Sequence, residues 1–268
     1  MHPRLAVSAV CSWNWSAAED LEFWQRAGIG HVGLNVRKLE EAGWDEAVAA
    51  VRRAGLVVSS VGTVGYFALD RPERWAPARA RVERALDAAA HLGAGCVVAV
   101  SGGAGRLTWE AAADALAEAL APAVAASTRL GVPLALENTA SLRTDYSFVH
   151  TLRDADDLAV AMGVGVCMEV QSCWAERALA ATVLQSVGDI RLVQVSDFVS
   201  GSSTSPDRAV VGDGDIPFER VIGYLVEAGY GGPFEIELFG PRIEAAGYGD
   251  AILRSIDHLE AVLDRVGV

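Results

Sequence analysis

Histidine, cysteine and positive charge are all scarce in this chain of 268 residues. The five histidines are scattered, which leaves little scope for a zinc cluster rich in imidazole ligands. The four cysteines, Cys11, Cys96, Cys167 and Cys173, include no Cys-X-X-Cys pair, so we expect reduced thiols rather than a disulfide scaffold. Asp and Glu outnumber Lys and Arg by 35 to 22, and the resulting charge of −13 repels phosphate backbones and argues against a nucleic-acid partner.

Long hydrophobic runs are also missing. The longest stretch without a charged residue, 88–105, contains His91 and five glycines, whereas a membrane helix needs about 20 apolar residues. The apolar run at residues 5–11 has no adequate hydrophobic core for export, and we interpret it as a buried first strand. We therefore expect a soluble, cytoplasmic protein with no membrane partner. The sequence leaves open whether it is a monomer or a homo-oligomer.

Short runs rich in Val, Ile and Leu alternate along the chain with longer segments of helical period. This alternation predicts repeated strand–helix units. The candidate strands are residues 5–10, 31–35, 57–61, 96–100, 133–137, 165–169, 192–195 and 234–238. The candidate helices between them are residues 19–27, 44–54, 77–91, 109–128, 154–161, 175–186 and 218–228.

Six of these junctions share one helix-ending signal, a glycine within three residues of the helix end, at Gly28, Gly55, Gly93, Gly131, Gly163 and Gly229. Because no linker interrupts the rhythm, we predict an α/β fold with a single (β/α)8 TIM barrel over residues 1–268. The alternative is an open doubly wound sheet. That fold would carry a phosphate-binding glycine loop after an early strand, and residues 101–105 come too late and lack the spacing.

Polar side chains close four successive candidate strands: Glu137, Glu169, Gln194 and Glu237. Barrel enzymes carry their chemistry at these carboxyl ends of the strands. A single carboxylate there is as often a solvated rim residue, but three glutamates and an amide on neighbouring strands indicate a shared site. Their mutual repulsion would raise their pKa values unless a cation or a proton lies among them.

At these strand ends the sequence resembles the xylose-isomerase-like TIM barrels. That group includes ketose 3-epimerases, hydroxypyruvate isomerase, inosose dehydratase and 3-dehydroshikimate dehydratase. Residues 211–218 and 228–237 are similar to the loop–helix–strand signature of the group, and the resemblance covers nearly the whole chain. It implies a divalent metal held by Glu137, Glu169, Gln194 and Glu237.

Three positions depart from the pattern that the resemblance implies. Gln194 replaces a histidine ligand, Ser172 replaces a histidine three residues after Glu169, and Gly33 replaces a carboxylate on the second strand. Gln194 can still coordinate a metal through its carbonyl oxygen. An all-oxygen ligand set suits Mg²⁺ or Mn²⁺ better than Zn²⁺.

The implied chemistry begins with removal of a proton next to a carbonyl, with a metal stabilising the enediolate. Glu137 and Glu237 are the candidate catalytic base and acid. We therefore predict a metal-dependent isomerase or epimerase whose small-molecule substrate is a sugar-like or cyclic hydroxy-ketone. The alternatives are a lyase that dehydrates or β-eliminates, and a degenerate barrel without catalysis. An abasic-site endonuclease with a histidine-rich trinuclear zinc site fits neither the histidine count nor the charge.

Five further residues are candidate substrate contacts: Arg208, Asp197, Trp13, Trp174 and His150. Arg208 could bind a carboxylate or phosphate, although a surface ion pair explains it equally well. Asp197 is expected to orient neighbouring groups or to contact substrate. Trp13 and Trp174 could wall the cavity or simply pack, and His150 could act as an acid or cap a helix.

Overall fold

Eight parallel strands close into a barrel in the computed structural model, which describes all 268 residues. Each strand pairs with the next along the chain, and the first pairs with the last. The strands are β1 (Leu5–Ser8), β2 (His31–Asn35), β3 (Val57–Gly65), β4 (Cys96–Val100), β5 (Leu134–Glu137), β6 (Gly165–Glu169), β7 (Ile190–Val195) and β8 (Phe234–Ile236). The predicted (β/α)8 barrel is confirmed.

Eleven α-helices surround the barrel. They are α1 (Ala17–Ala27), α2 (Val36–Glu41), α3 (Trp44–Arg53), α4 (Trp75–Leu92), α5 (Trp109–Leu130), α6 (Leu152–Met162), α7 (Val170–Cys173), α8 (Leu179–Ser186), α9 (Phe218–Glu227), α10 (Pro241–Ala246) and α11 (Tyr248–Arg265). None of them is both long enough and apolar enough to cross a membrane.

Two helices begin at residues other than those predicted from the sequence, and local backbone structure explains both differences. Helix α1 begins two residues earlier than predicted because Ser16 and Glu19 form a reciprocal capping box around its first turn. The predicted helix at 175–186 begins only at Leu179, because Ala178 takes a left-handed conformation with φ of 61°. All six glycines that were predicted to end helices do have positive φ.

The apolar core lies between the strands and the helices, where one cluster contains 70 buried residues. A separate small cluster fills the barrel itself and consists of Cys96, Val98, Ala135, Cys167 and Leu192. All four cysteines are buried and unpaired, as expected for reduced thiols.

The barrel interior also contains a carboxylate that the sequence analysis overlooked. Glu235 is 1% exposed and accepts hydrogen bonds from Ser59 Oγ at 2.6 Å and Ser60 Oγ at 2.8 Å. Burial raises the pKa of Glu235, and the hydrogen bonds from the two serines and Gln194 counter the rise. Gly33 leaves the space for this side chain, since a Cβ at that position would lie 2.5 Å from Glu235 Oε1.

A methyl group at Gly33 should therefore destabilise the barrel. We expect Gly33→Ala to lower the free energy of unfolding by about 1–3 kcal/mol, because Glu235 is held by its hydrogen bonds and cannot move away freely. Gly30→Ala is the matched control, because a Cβ there meets nothing within 4 Å and the change should cost less than about 0.5 kcal/mol. Urea denaturation of both variants measures the difference, and equal midpoints would contradict the packing described.

Candidate active site

Glu137 ends β5 at the carboxyl mouth of the barrel. Its side chain is buried, and Oε2 has no hydrogen-bond partner in the protein. Burial raises the pKa of Glu137 well above its usual value, and the charges of Glu237 and Glu169 raise it further. Glu137 is therefore a carboxyl group with a free oxygen, ready to accept a proton or a cation.

Glu169 ends β6 and is completely buried. Asn138 ties its backbone to the end of β5, accepting from Glu169 N at 2.9 Å and donating to Glu169 O at 3.1 Å. The side chain accepts from Ser172 Oγ at 2.9 Å and from the amide of Gln171 at 3.2 Å. Ser172, which stands where the resemblance implies a histidine, thus serves to hold a carboxylate in place.

Glu237 follows β8 directly and is held by Gln194 from β7. Gln194 Nε2 donates to Glu237 Oε1 at 3.0 Å, while Gln194 Oε1 accepts from the thiol of Cys167 at 3.2 Å. In this orientation the Gln194 amide nitrogen faces Glu237 and its oxygen faces Cys167, and the metal-ligand role expected of Gln194 stays a prediction. Burial, together with the charges of Glu169 and Glu235, raises the pKa of Glu237 to about 7 although Arg208 lowers it.

Arg208 reaches into this cluster from the long loop between β7 and α9. Its guanidinium donates to Glu169 Oε1 at 2.8 Å and lies 3.2 Å from Glu237 Oε2. Burial alone would lower the pKa of Arg208, but the carboxylates of Glu169 and Glu237 raise it above its usual value. One guanidinium therefore faces three buried carboxylates, and the cluster carries an excess of negative charge whenever all three are ionised.

The cluster forms the floor of a cavity of about 410 Å³, a size suited to a small organic molecule. Two aromatic pairs contribute to its lining: Trp13 and Phe239, with ring centroids 4.5 Å apart, and Tyr66 and Tyr146, with ring centroids 4.9 Å apart. The phenol oxygens of the two tyrosines are 3.0 Å apart. Desolvation raises the pKa of both tyrosines, so both hydroxyl groups remain protonated donors at neutral pH.

Of the five predicted substrate contacts, Arg208 and Trp13 line this cavity. Asp197 does not, because its carboxylate is occupied with the loop before α9. It accepts from the backbone amides of Phe198, Gly212, Gly214 and Ile216 at 2.8–3.1 Å. Asp197 thus orders the loop that carries Arg208, and the prediction of a direct substrate contact is not supported.

Trp174 and His150 also lie outside the lining of the cavity. Trp174 follows α7 and packs half-buried against the apolar core between strands and helices. His150 Nδ1 lies 3.1 Å from Thr139 O, and the ring faces a neighbouring cavity beside Tyr66. Neither residue is placed to touch a molecule bound above Glu137 and Glu237.

Tyr146 and Asn138 were not predicted from the sequence. Asn138 directly follows Glu137, and a polar residue beside a strand-ending acid is a usable signal for a side chain that orients its neighbour. Tyr146 lies in a loop without periodicity, and no sequence signal places it opposite Tyr66.

The donors at the mouth are carboxylate oxygens, the kind that a hard divalent cation prefers, and one of them has no partner in the protein. In the present arrangement, however, no three Asp, Glu, His or Cys side chains lie close enough together to hold a metal ion, and Arg208 contacts two of the carboxylates. Glu137, Glu169 and Glu237 are the residues that would hold such an ion.

Comparisons with known proteins agree with the fold. A family model described as xylose isomerase-like TIM barrel matches residues 21–262. Protein SMc04130 from Sinorhizobium meliloti has a TM-score of 0.88 and 25% identity, covering 97% of this chain and 98% of that one. The IolI protein with a bound zinc atom has a TM-score of 0.83 and 18% identity, covering 98% of this chain and 99% of that one. L-ribulose 3-epimerase has a TM-score of 0.77 and 15% identity, covering 98% of this chain and 95% of that one. No curated protein sequence matches the chain.

The raised pKa of Glu237 makes the stability of the metal-free protein depend on pH. A carboxyl group whose pKa is higher in the folded than in the unfolded state stabilises the fold below its unfolded pKa and loses that contribution as pH rises to the folded value. Between pH 4.5 and about 7, the free energy of unfolding should fall by on the order of 3 kcal/mol more in the wild type than in Glu237→Gln. Chemical denaturation in the presence of a chelator measures this, with the exposed Glu83→Gln as the control. Parallel pH profiles for the wild type and Glu237→Gln would contradict the assignment.

Proposed function

The chain belongs to the xylose isomerase-like TIM barrel family, and from that premise we propose that it is a divalent-metal-dependent isomerase or epimerase of a sugar-like hydroxy-ketone. One observation carries the proposal: the buried carboxylates of Glu137 and Glu237 line a cavity of small-molecule size, and Arg208 connects Glu237 to the fully buried Glu169 beside it. The similarity in fold to L-ribulose 3-epimerase supports the same kind of reaction. We further propose that the protein acts in the cytoplasm.

Glu137, Glu169 and Glu237 would hold the cation. When bound, it supplies positive charge against the negative charge that develops on the carbonyl oxygen of the substrate. The oxygen-only donor set favours Mg²⁺ or Mn²⁺ over Zn²⁺. Gln194 would support the site through Glu237, because its amide group already donates to that carboxylate.

The proton chemistry follows from the different surroundings of the two glutamates. Glu137 has an unpartnered oxygen that can take the proton from the carbon next to the carbonyl. Glu237 lines the same cavity and is a second carboxyl group that can return a proton to the intermediate. Delivery to the opposite face of the same carbon gives epimerisation, and delivery to the neighbouring carbon gives isomerisation.

Arg208 and the tyrosine pair orient the substrate in this scheme. Arg208 lines the cavity beside Glu237, where its guanidinium can donate to substrate oxygens. Tyr66 and Tyr146 can donate to substrate hydroxyl groups from the wall of the cavity. The aromatic faces of Trp13 and Phe239 exclude water from the cavity.

The shared first step predicts exchange of a substrate proton with solvent. With Mn²⁺ and a panel of ketoses in D₂O, the wild type should incorporate deuterium next to the carbonyl. Glu137→Gln should reduce the rate by about 10²–10⁴, the usual contribution of a general base. Glu83→Gln, on the exposed face of α4, should exchange at the wild-type rate. Nuclear magnetic resonance of the recovered sugar measures the exchange.

Other results would point to the alternative functions. Loss of a β-hydroxyl group from the substrate would identify a lyase. If the purified protein holds no metal and Glu137→Gln changes neither its metal content nor its thermal stability, the barrel is non-catalytic.

A further inference from the structure

The only lysine of this chain, Lys38, is buried in α2, although proteins usually leave lysine side chains in water. Its side chain is 2% exposed, and its ammonium nitrogen lies 2.6 Å from Asp20 Oδ2 on α1, whose side chain is equally buried. Every other side chain with a permanent positive charge is an arginine. An ammonium group therefore occurs in this chain only where it is enclosed by the fold.

Three acceptors surround the Lys38 ammonium group, which has three hydrogens to donate. It donates to Asp20 Oδ2 at 2.6 Å, to the backbone oxygen of Ser12 at 2.8 Å and to Ser12 Oγ at 3.2 Å. Ser12 Oγ in turn donates to the other carboxylate oxygen of Asp20. A compact ammonium group can direct its hydrogens to all three acceptors, whereas the planar fork of a guanidinium cannot. The local geometry thus explains why this position holds a lysine.

The Lys38 ammonium group reaches the segment that carries Trp13. Ser12 is the last residue of the 3-10 turn Ala9–Ser12 after β1, and its carbonyl group belongs to the peptide bond that leads into Trp13. Arg37, the neighbour of Lys38 on α2, donates to the backbone oxygen of Trp13, and its guanidinium carbon lies 4.3 Å from the centroid of the indole ring. Helix α2 therefore holds two successive carbonyl groups of this segment.

Trp13 lies at the cavity of about 410 Å³ that has Glu137 and Glu237 in its lining, here called the mouth cavity. Its indole ring is part of the same lining and contacts the ring of Phe239, with centroids 4.5 Å apart. The first residue before α2, Asn35, also lines the mouth cavity and accepts from the backbone amide of Lys38 at 3.3 Å. The contacts of α2 thus determine the shape of one part of the cavity.

Lys38 and Asp20 themselves do not line the mouth cavity. They can affect a bound molecule only through the residues that they hold, and Trp13 is the nearest of these along the chain. The role available to Lys38 is therefore that of a positioning residue and not of a catalytic one.

An ion pair as deeply buried as this one adds little to stability, because the lost hydration of two charges offsets their attraction. Burial lowers the pKa of Lys38 and raises the pKa of Asp20 to about 6, while the attraction between the two groups counters both shifts. Apolar side chains can often replace a buried ion pair without loss of stability, and the best attested use of such a pair is to specify one arrangement of the chain. The arrangement in question here is that of Ser12 and Trp13.

We propose that Lys38, paired with Asp20, fixes the peptide bond before Trp13 and so sets the orientation of the indole ring that lines the mouth cavity. A bound substrate meets this ring, whereas the proton chemistry takes place at Glu137 and Glu237 on other strands. Loss of Lys38 should therefore weaken substrate binding and leave the chemical step nearly intact. The effect on substrate binding rests on the proposed function, whereas the orientation of Trp13 does not depend on it.

Fluorine nuclear magnetic resonance measures the orientation of Trp13. The seven tryptophans are replaced by 5-fluorotryptophan during expression, and Trp13→Phe identifies the Trp13 signal because that variant lacks it. Lys38→Met keeps the length of the side chain without its donors, and it should shift or broaden the Trp13 signal. Asp20→Asn/Lys38→Met removes both charges and should have the same effect. The double variant replaces Lys38→Met if the single variant does not fold.

Val183→Ala is the matched control for a general loss of stability. Val183 is completely buried on α8, which lies between β6 and β7 along the chain, and its truncation lowers stability through lost packing. The Trp13 signal of this variant should stay at its wild-type position. A shift in Val183→Ala as large as that in Lys38→Met would overturn the proposal. An unchanged Trp13 signal in the folded charge variants would also overturn it.

Deuterium exchange measures the consequence for the substrate. With the ketose that the wild type exchanges fastest, Lys38→Met should raise KM by about tenfold and change kcat by less than about twofold, because binding alone is weakened. An unchanged KM, or a fall in kcat larger than the rise in KM, would contradict the role of Lys38 while the proposed reaction stands. If no ketose exchanges deuterium, the proposed reaction fails, and the fluorine signal alone decides whether Lys38 positions Trp13.

Discussion

Everything at the mouth of this barrel depends on the presence of three carboxylates in a place that water hardly reaches. Glu137 and Glu169 end the adjacent strands β5 and β6, and Glu237 follows β8, which β7 separates from β6. The closed parallel sheet therefore brings all three to the same mouth regardless of their repulsion. Arg208 provides the only compensating positive charge in direct contact with them. Burial, and after it the repulsion among the carboxylates, raises the pKa values of Glu137 and Glu237. Either a proton or a cation can neutralise the negative charge that Arg208 leaves uncompensated. The site can therefore exchange protons or bind a cation.

Hydrogen bonds from different neighbouring residues hold the individual carboxylates in place. Ser172 donates a hydrogen bond to the Glu169 carboxylate, and Asn138 accepts one from the Glu169 backbone amide. Gln194 donates a hydrogen bond to the Glu237 carboxylate. Asp197 acts at a greater distance by ordering the loop that carries Arg208. The two positions at which histidine was expected thus carry side chains that orient carboxylates. The departures from the family pattern preserve the acidic cluster while they remove its imidazoles.

The sequence predicted the barrel and its acidic strand ends well, because alternation within strands and glycine at helix ends are local signals. Of the five loop residues that it proposed as substrate contacts, Arg208 and Trp13 line the mouth cavity and the other three do not. Trp174 and Asp197 follow β6 and β7, which both end at the mouth. Trp174 nevertheless packs on the apolar core, and Asp197 binds backbone amides. Glu235 was overlooked although it stands two residues before Glu237 and therefore points to the same barrel interior. The contact between Tyr66 and Tyr146 joins the segment after β3 to the loop after β5. The sequence of these loops carries no periodic signal from which the contact could be predicted.

The most direct test of the account is the anomalous diffraction signal of a crystal soaked in Mn²⁺. We predict one peak at the mouth, with oxygens of Glu137, Glu169 and Glu237 at about 2.1 Å, the distance typical of a small hard cation. A mouth without such a peak, in which Arg208 still contacts Glu169 and Glu237, would contradict the claim that the carboxylates form a cation site.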